Sequence, residues 1–565
     1  MDASDHTLAR LTIGGSRLAN LPAADRARLA GDTARAVAAV ADRWIAAAVA
    51  LKTAGGSPAE PVAASAVAEE TATGPLATMR LLLTTRRAWQ EIDRGGMPRP
   101  ARPPRVIHAA AGSAGPASFM AVDVLPDPRL FDAATFPGHR AVVRCVNPGS
   151  AEAFEESWRA EAATRPRSGG VAAVLGAGNV TGLALADAIC QIFEHGRAAM
   201  VKLHPLHAPL EGIYRDAFAP LLAADLLAFT SGNADVARAL CGSPAITQVH
   251  LTGGQAAFDA LVWGGGGPRP PGASPQLAKP VTCELGNVTP WILVPGRYSP
   301  RHLRYQADLV AASIANNTSF NCIATKCLVT SRQWPQREPF LRLVAKRLES
   351  LPPRRAWYPG ATAAWEEATG RRAPANGTLP WTLTVGIDAR GDRRLLDREW
   401  FVPVATEVSL EAVDIEAFCT AAATFARSLP GSLAASVTIP AALDSRDRRR
   451  AELLAEHLRY GVVAVNTWAA LAYAVTSVPW GGFPGGTLAE PGSGIGFVHD
   501  PLLLPLVHNT MFQAPLATSL APAWVPWHRS GSRLGRGLLD AYAAIADGGS
   551  GLWPLVKMLP AVLRG

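Results

Sequence analysis

Two short stretches carry the residues that could do chemistry. Ile314 to Val329 reads IANNTSFNCIATKCLV and sets Cys322 between a polar, Asn-rich approach and an apolar exit. Upstream, Val281 to Pro290 reads VTCELGNVTP, with a single carboxylate, Glu284. A thiol and an isolated carboxylate, each in a mostly uncharged run, suggest a nucleophile and a base. Each alone has a plainer reading: Cys322 as a small buried hydrophobe, Glu284 as a surface charge.

The elements that would position such a pair are legible on both sides of it. Val171 to Gly176, VAAVLG, is a short apolar strand. A turn over Ala177 to Thr181 follows, then the helical run LALADAICQIFEHG and a second strand, AAMVKLH. Uniformly apolar strands flanking a helix describe a β-α-β unit with buried parallel strands. Its turn is GAGNVTG, so the Gly-x-Gly-x-x-Gly dinucleotide fingerprint is absent. The unit still sets a helix N-terminus over the crevice at the strand ends. Ala224 to Thr230 and Thr247 to Thr252 continue the sheet. Asn179 lies in the first turn and Lys202 closes the second strand; alone, the first reads as a helix cap and the second as a solvated charge. A second domain opens at Val281. It has a helix over Leu303 to Asn316, a strand after Cys322, a helix over Phe340 to Leu348, and strands at Ala434 to Thr438 and Val462 to Asn466. GGGGPRPPGASP, 264–275, holds no regular element. PWGGFPGGT, from Pro479, reads as an active-site or interdomain loop.

Before these domains, residues 1–100 read as helices. Pro22 to Trp44 has Ala and Leu at helical spacing, GGSPAE (Gly55 to Glu60) interrupts, and ATMRLLLTTRRAWQEI runs to the stops Gly95, Gly96 and Pro98. A helical start packed on the next domain and an independent bundle both fit. Over 101–165, RVIHAAAG, FMAVDVLP and AVVRCVNPGS read as strands, with a charged helix from Ala151 to Arg165. The remaining divisions are 166–280, 281–485 and a tail over 486–565. In the tail, Pro554 and Pro560 argue against one long helix. Its apolar positions leave three partners open: the main body, a neighbouring subunit, or, weakly, a membrane.

Taken in order, these motifs resemble those of the aldehyde dehydrogenase superfamily. Asn317 and Cys322 stand at the family's Asn-to-nucleophile spacing, with Ser319-Phe320 in place of its Gly-Gln pair. Glu284-Leu285-Gly286-Asn287 matches the general-base motif Glu-Leu-Gly-Gly, Asn179 the oxyanion Asn, and Lys202 in MVKLHP the cofactor-binding Lys. Thr252-Gly253-Gly254 matches the Thr-Gly-Ser turn, and Glu399-Trp400-Phe401-Val402-Pro403 the Glu-x-Phe-Gly-Pro run. Each match is short. Their shared order between residues 175 and 405 makes them specific together, and the departures mark a divergent branch.

The resemblance implies an α/β fold of the aldehyde dehydrogenase type. A Rossmann-type cofactor domain (166–280) would join an α/β catalytic domain (281–485), with the helical N-terminal region and a small strand-rich oligomerisation segment. It also implies oxidation of an aldehyde through a Cys322 thioester, with Glu284 as base and Asn179 as oxyanion donor. NAD or NADP would be held by Lys202, His204, Thr252, Gly253, Gly254, Glu399 and Phe401, in a homo-oligomer, dimer or tetramer. NAD-preferring members carry an acid three positions beyond the Lys. Here that position is Pro205, so NADP is expected to be accepted. Two alternatives stay open. MVKLHPLHAP resembles the Lys-x-His-Pro run of acylating members, which hand the acyl group to coenzyme A or reduce an acyl thioester. The Ser-Phe replacement fits a non-catalytic scaffold or binding protein. Glu399, beside Arg398, reads alone as a surface ion pair.

Composition narrows the field. A chain of 565 residues, 48% hydrophobic and 18% charged, suits two or three well-buried domains. A net charge of +8 favours anionic ligands such as a phosphorylated cofactor. No Lys/Arg block interleaved with aromatics points to nucleic acid. Seven cysteines show neither Cys-x-x-Cys nor Cys/His spacing for zinc, and His204 and His207 lack a third ligand, so no metal is expected. The scattered cysteines suggest a reducing setting, and MDASDHTLARL, with early acids and no apolar core, does not read as a secretory signal, so a cytoplasmic location is expected. No unbroken apolar stretch of about 20 residues suggests a spanning helix. Abundant Trp and Leu favour an apolar aldehyde.

Overall fold

The computed structural model describes residues 3–53, 60–109, 116–265 and 272–562. Most of GGSPAE and the centre of the Gly- and Pro-rich excursion at 264–275 lie outside the described residues. Four helices open the chain: α1 (Ala3–Ala19), α2 (Ala23–Thr53), α3 (Glu60–Thr71) and α4 (Ala77–Gly95). A single π-turn, Ala72–Leu76, separates α3 from α4. It kinks at Gly74 (φ −94°, ψ −108°), next to Pro75, which has no N–H to give a regular turn. Gly96 ends α4 in the left-handed region (φ 79°), its N–H bonded to Ile92 O. Leu18, Val37, Trp44 and Leu82 share one core with Leu185, Ile192, Val201 and Phe229. The helices therefore pack on the neighbouring sheet and do not form a separate bundle.

Strands β1 (Arg105–His108), β2 (Ser118–Leu125) and β3 (Arg140–Val146) follow. The first α/β unit holds β4 (Val171–Leu175), β5 (Ala198–Lys202), β6 (Leu227–Thr230), β7 (Ile246–Thr252) and β8 (Val281–Glu284). They lie in the order β8-β7-β4-β5-β6, all parallel. All five residues of β4 are buried, which is why VAAVL carries no alternation. The chain leaves β4 towards β5 and later returns on its other side as β7. The crevice at the carboxyl ends of β4 and β7 is thus the switch point of this sheet.

The second unit contributes β9 (Pro290–Leu293), β10 (Cys327–Ser331), the short pair β11 (Arg354–Arg355) and β12 (Thr378–Leu379), then β13 (Thr382–Ile387), β14 (Val404–Leu410), β15 (Ala434–Thr438) and β16 (Val462–Val465). Then β17 (Gly494–Ile495) crosses back to pair antiparallel with β8, and β18 (Val507–Gln513) returns to the larger sheet. That sheet has ten strands in the order β1-β2-β3-β18-β16-β15-β9-β10-β14-β13. Its two faces separate by alternation. Trp291, Leu293 and Leu328 enter one core cluster, while Ile292, Cys327 and Val329 enter the other. The strand-rich segment, which the resemblance assigns to oligomer building, pairs inside its own chain. β18 runs parallel to β16 on one side and antiparallel to β3 on the other.

The tail forms two helices, Gly531–Ala546 and Leu552–Val562. The first sends Leu539, Tyr542 and Ala546 into the core beneath α2 and α4. The second tolerates Pro554 in its first turn, where the missing N–H has no partner to lose. It also contains Pro560 and leaves Leu552, Trp553, Val556 and Leu559 exposed. No helix among the described residues is long and apolar enough to cross a membrane.

One buried cation ties these parts together. Arg80 of α4 donates to Asp132 Oδ1 (2.7 Å), Tyr542 Oη (2.7 Å) and Val475 O (3.0 Å). Asp132 is wholly buried, so its removal leaves a guanidinium without its counter-charge in an apolar setting. Asp132→Ala is expected to cost about 3–5 kcal/mol in denaturant-induced unfolding. A loss under about 1 kcal/mol would show that the pair does not organise the core.

Candidate active site

Cys322 follows a turn that few sequences can hold. After the helix Pro300–Ala315, Asn317, Thr318 and Ser319 take φ of 51°, 59° and 63°, left-handed values unfavourable for residues with a Cβ. Side-chain anchors hold the turn. Asn317 Nδ2 donates to Asn179 O and to Phe320 O, both at 2.9 Å. Lys326 Nζ, buried at the start of β10, donates to Ser319 O (3.2 Å), Ser319 Oγ (2.7 Å) and Val402 O (2.8 Å). Cys322 then follows half-buried, packed against the larger core, and the Trp468 indole donates to the next residue's carbonyl, Ile323 O, at 2.7 Å.

Glu284 ends β8, in register with Thr252 at the end of β7. It is 2% exposed. Its Oε1 accepts from Cys322 Sγ at 3.3 Å, and its Oε2 accepts from the Trp480 indole N–H at 2.9 Å. Burial, with the Asp187 charge nearby, pushes its carboxyl up to about 7, against the pull of those two donors. Burial and the carboxylates of Glu284 and Glu399 push the Cys322 thiol well above its usual range. At rest, then, sulfur holds its proton, and the adjacent carboxyl is poised to accept one near neutrality.

Asn179 reaches this loop from the other sheet. It is buried in the turn after β4, and its Nδ2 donates to Phe320 O at 3.2 Å, which engages one amide hydrogen and leaves the second. It does not cap the next helix, whose N-cap position is Gly182. Thus Cys322, Glu284 and Asn179, expected from three separate motifs, meet in one place.

Of the expected cofactor residues, Lys202 and His204 stand at and just after the end of β5, Thr252 to Gly254 at the end of β7, and Glu399 and Phe401 just before β14. Lys202 closes β5, half-buried, its ammonium without a hydrogen bond or ion pair to the described residues; burial lowers its pKa. The His204 ring accepts from Leu206 N–H (3.2 Å) and lies nearly parallel to Tyr358, 6.1 Å between centroids. Thr252 Oγ1 donates to Asp187 Oδ2 at 2.9 Å, and Gly253 N–H donates to Glu284 O at 3.0 Å. Gly254 opens the helix Gln255–Val262, with nothing within 4 Å of the place a Cβ would take. Glu399 is not the surface partner of Arg398, which pairs with Glu367 instead. Its carboxylate is buried against Gly286, where an added Cβ would stand 2.1 Å from Oε2, and it accepts from Asn287 N–H. Burial raises it to about 8, and its Oε1 has no hydrogen-bond partner. Phe401 stacks on Phe320 (6.1 Å between centroids) and meets Tyr358 at a tilt (5.1 Å), so one aromatic cluster joins the nucleophile loop to His204.

Trp480, Lys326 and Tyr358 were not identified by sequence reasoning. Lys326 had a visible signal, a lone charge in the apolar exit from Cys322. Trp480 lay inside a loop recognised only by its glycines, and Tyr358 had no signal.

This architecture, with the site between the two α/β units, is the aldehyde dehydrogenase fold. An aldehyde dehydrogenase from Pseudomonas aeruginosa, KauB, superposes with a TM-score of 0.59 at 18% identity, over 90% of this chain and 88% of that one. The AldA indole-3-acetaldehyde dehydrogenase of P. syringae, solved with NAD+, gives 0.58 at 18% identity over 90% and 88%. A gamma-glutamyl-gamma-aminobutyraldehyde dehydrogenase from Burkholderia cenocepacia gives 0.59 at 15% identity over 90% and 87%. No protein-family model and no curated sequence matches the chain.

The Trp480 hydrogen bond stabilises the ionised form of Glu284. Hydrogen bonds to charged groups contribute about 1.5–3 kcal/mol, or roughly one to two pH units. Alkylation of Cys322 by iodoacetamide should rise with pH as Glu284 ionises near 7. In Trp480→Phe that rise should move to higher pH by about one unit or more. An unmoved midpoint would show that the indole does not tune Glu284.

Proposed function

We propose that the protein oxidises an aldehyde, preferably an apolar one, to its carboxylic acid, with NAD or NADP as hydride acceptor. The observation that carries this reading is the contact of Cys322 Sγ with a buried carboxyl raised to about 7, beside an asparagine amide delivered from the opposite sheet. Glu284 accepts the thiol proton as sulfur attacks the carbonyl carbon. The resulting oxyanion is met by the second Asn179 amide hydrogen and the backbone N–H of Cys322. A nicotinamide cofactor held by residues such as Lys202 and Glu399 would supply the hydride acceptor, and loss of hydride from the tetrahedral carbon would leave Cys322 carrying a thioester. Glu284 then releases the thiol proton to solvent, takes a proton from water as it adds to the thioester, and passes that proton to the departing Cys322 sulfur, so that the acid leaves with thiol and carboxylate restored.

The crevice at the carboxyl ends of β4 and β7 is where this reading sets a dinucleotide. Lys202 and the unpartnered Glu399 Oε1 are donor and acceptor for ribose hydroxyls. Gly254 leaves an open approach to a helix N-terminus at the strand ends. No acid follows Lys202 at Pro205 to repel a 2′-phosphate, which supports acceptance of NADP. The apolar core against which Cys322 packs supports an apolar substrate.

Cys322→Ala should abolish turnover while cofactor binding, read by fluorescence titration with NAD and NADP, persists. Peptide mapping should place an aldehyde-derived label on Cys322; label on Cys283 or Cys327 instead would refute the assignment. Glu284→Gln should slow both half-reactions, deacylation more than acylation, because a thiol ionises without a base far more readily than water does, which gives a burst of reduced cofactor followed by a slow steady state. If coenzyme A accelerates turnover strongly and free acid does not form in its absence, the acyl acceptor is the coenzyme A thiol and not water.

A further inference from the structure

A buried ion pair with no part in the chemistry above joins the N-terminal helices to the reacting loop. Lys52 lies in the last turn of α2 and is 8% exposed; Glu70, in α3, is 1% exposed. Lys52 Nζ pairs with Glu70 Oε1 and donates to Asn317 Oδ1 at 2.8 Å, 4.8 Å from the centroid of the Trp357 ring. Asn317 uses its amide hydrogens on Asn179 O and Phe320 O, so the ammonium occupies the carbonyl end of the side chain that holds the left-handed turn. The second oxygen of Glu70 accepts from the Thr181 hydroxyl at 3.1 Å, and that hydroxyl accepts from the Trp44 indole at 3.0 Å. Thr181 is two residues beyond Asn179. The α3–α4 kink is pressed against the same turn: an added Cβ on Gly182 would stand 2.6 Å from Thr73 O.

We propose that Lys52 and Glu70 are positioning residues, which set the nucleophile loop through Asn317 and the oxyanion turn through Thr181. This rests on the reading of Cys322 and Asn179 given above. The pair touches neither loop's reacting atoms. Its effect is directional: a cation fixes which end of the Asn317 amide faces the turn, so both amide hydrogens are delivered to Asn179 O and Phe320 O. Without it the Asn317 carbonyl end has no donor, and three consecutive residues with φ above 50° lose the anchor that holds them.

The test separates positioning from simple support of the fold. Lys52→Met leaves Glu70 buried and unpaired, so this variant is expected to lose both melting temperature and activity. The neutral double variant, Lys52→Met with Glu70→Gln, removes both charges and should recover most of the melting temperature. It should nevertheless keep kcat reduced at least tenfold, with little change in KM for the cofactor. It should also alter the iodoacetamide alkylation rate of Cys322 at least threefold, a readout that needs no aldehyde and decides the point even if the proposed oxidation fails. Recovery of melting temperature, kcat and wild-type alkylation together would overturn the proposal, as would wild-type kcat and alkylation in Lys52→Met. Where the oxidation itself is absent from the wild type, an unchanged alkylation rate in the double variant overturns it alone.

Discussion

The site depends on keeping one carboxyl dry beside one thiol. A buried acid with few donors prefers to stay protonated, and a buried thiol beside it prefers the same. Two donors, Cys322 and the Trp480 indole, oppose the desolvation of Glu284 without overcoming it, so its ionisation falls near neutral pH and not in the usual carboxylate range. The backbone holds this geometry from both sides. β8 is paired with β7 and, through Gly494 and Ile495, with β17. Gly494 has φ 153°, and an added Cβ would stand 2.2 Å from Cys283 O, so the crossing strand can lie this close only as glycine. Glu399 repeats the arrangement on the other side of the Glu284-Leu285-Gly286 run, with Gly286 making room for its carboxylate and Lys326 offsetting its charge.

That chemistry belongs to neither sheet alone. β8 delivers Glu284 from one, the turn before β10 delivers Cys322 from the other, and Asn179 comes back across from the end of β4. Reciprocal amide-to-carbonyl bonds, Asn179 to Phe320 and Asn317 to Asn179, fix the two loops against each other. A small shift between the sheets would be felt directly at the thiol, because these bonds have little tolerance in length or angle.

What the sequence shows of this follows from how local each feature is. Val171–Leu175 and Ala198–Lys202 are legible as parallel strands because burial on both faces removes the polar alternation. Cys322, Glu284 and Asn179 stand out by residue type and order. Trp480 does not, since its partner is 196 residues away and loop residues have no period to reveal their direction. Glu399 beside Arg398 resembles an exposed ion pair until the Arg is seen to pair with Glu367. In the tail, two prolines look like breakers, yet one falls in a first turn where helices accept it. Residues 105–146 announce strands by their alternation, but alternation says nothing about whose sheet edge they will meet.

The placement of β18 has a consequence for how the protein is made. It is an interior strand of the ten-stranded sheet, between β3 and β16, although it is the last strand in the chain. A nascent chain that has reached residue 500 therefore carries two unpaired edges of its own larger sheet, and nothing already synthesised can close them. Open edges of this kind recruit other strands, including those of neighbouring nascent chains. That strand works as a keystone: the sheet stays open along β3 and β16 until β18 (Val507–Gln513) has been made, and a chain cut short just before it keeps both edges open.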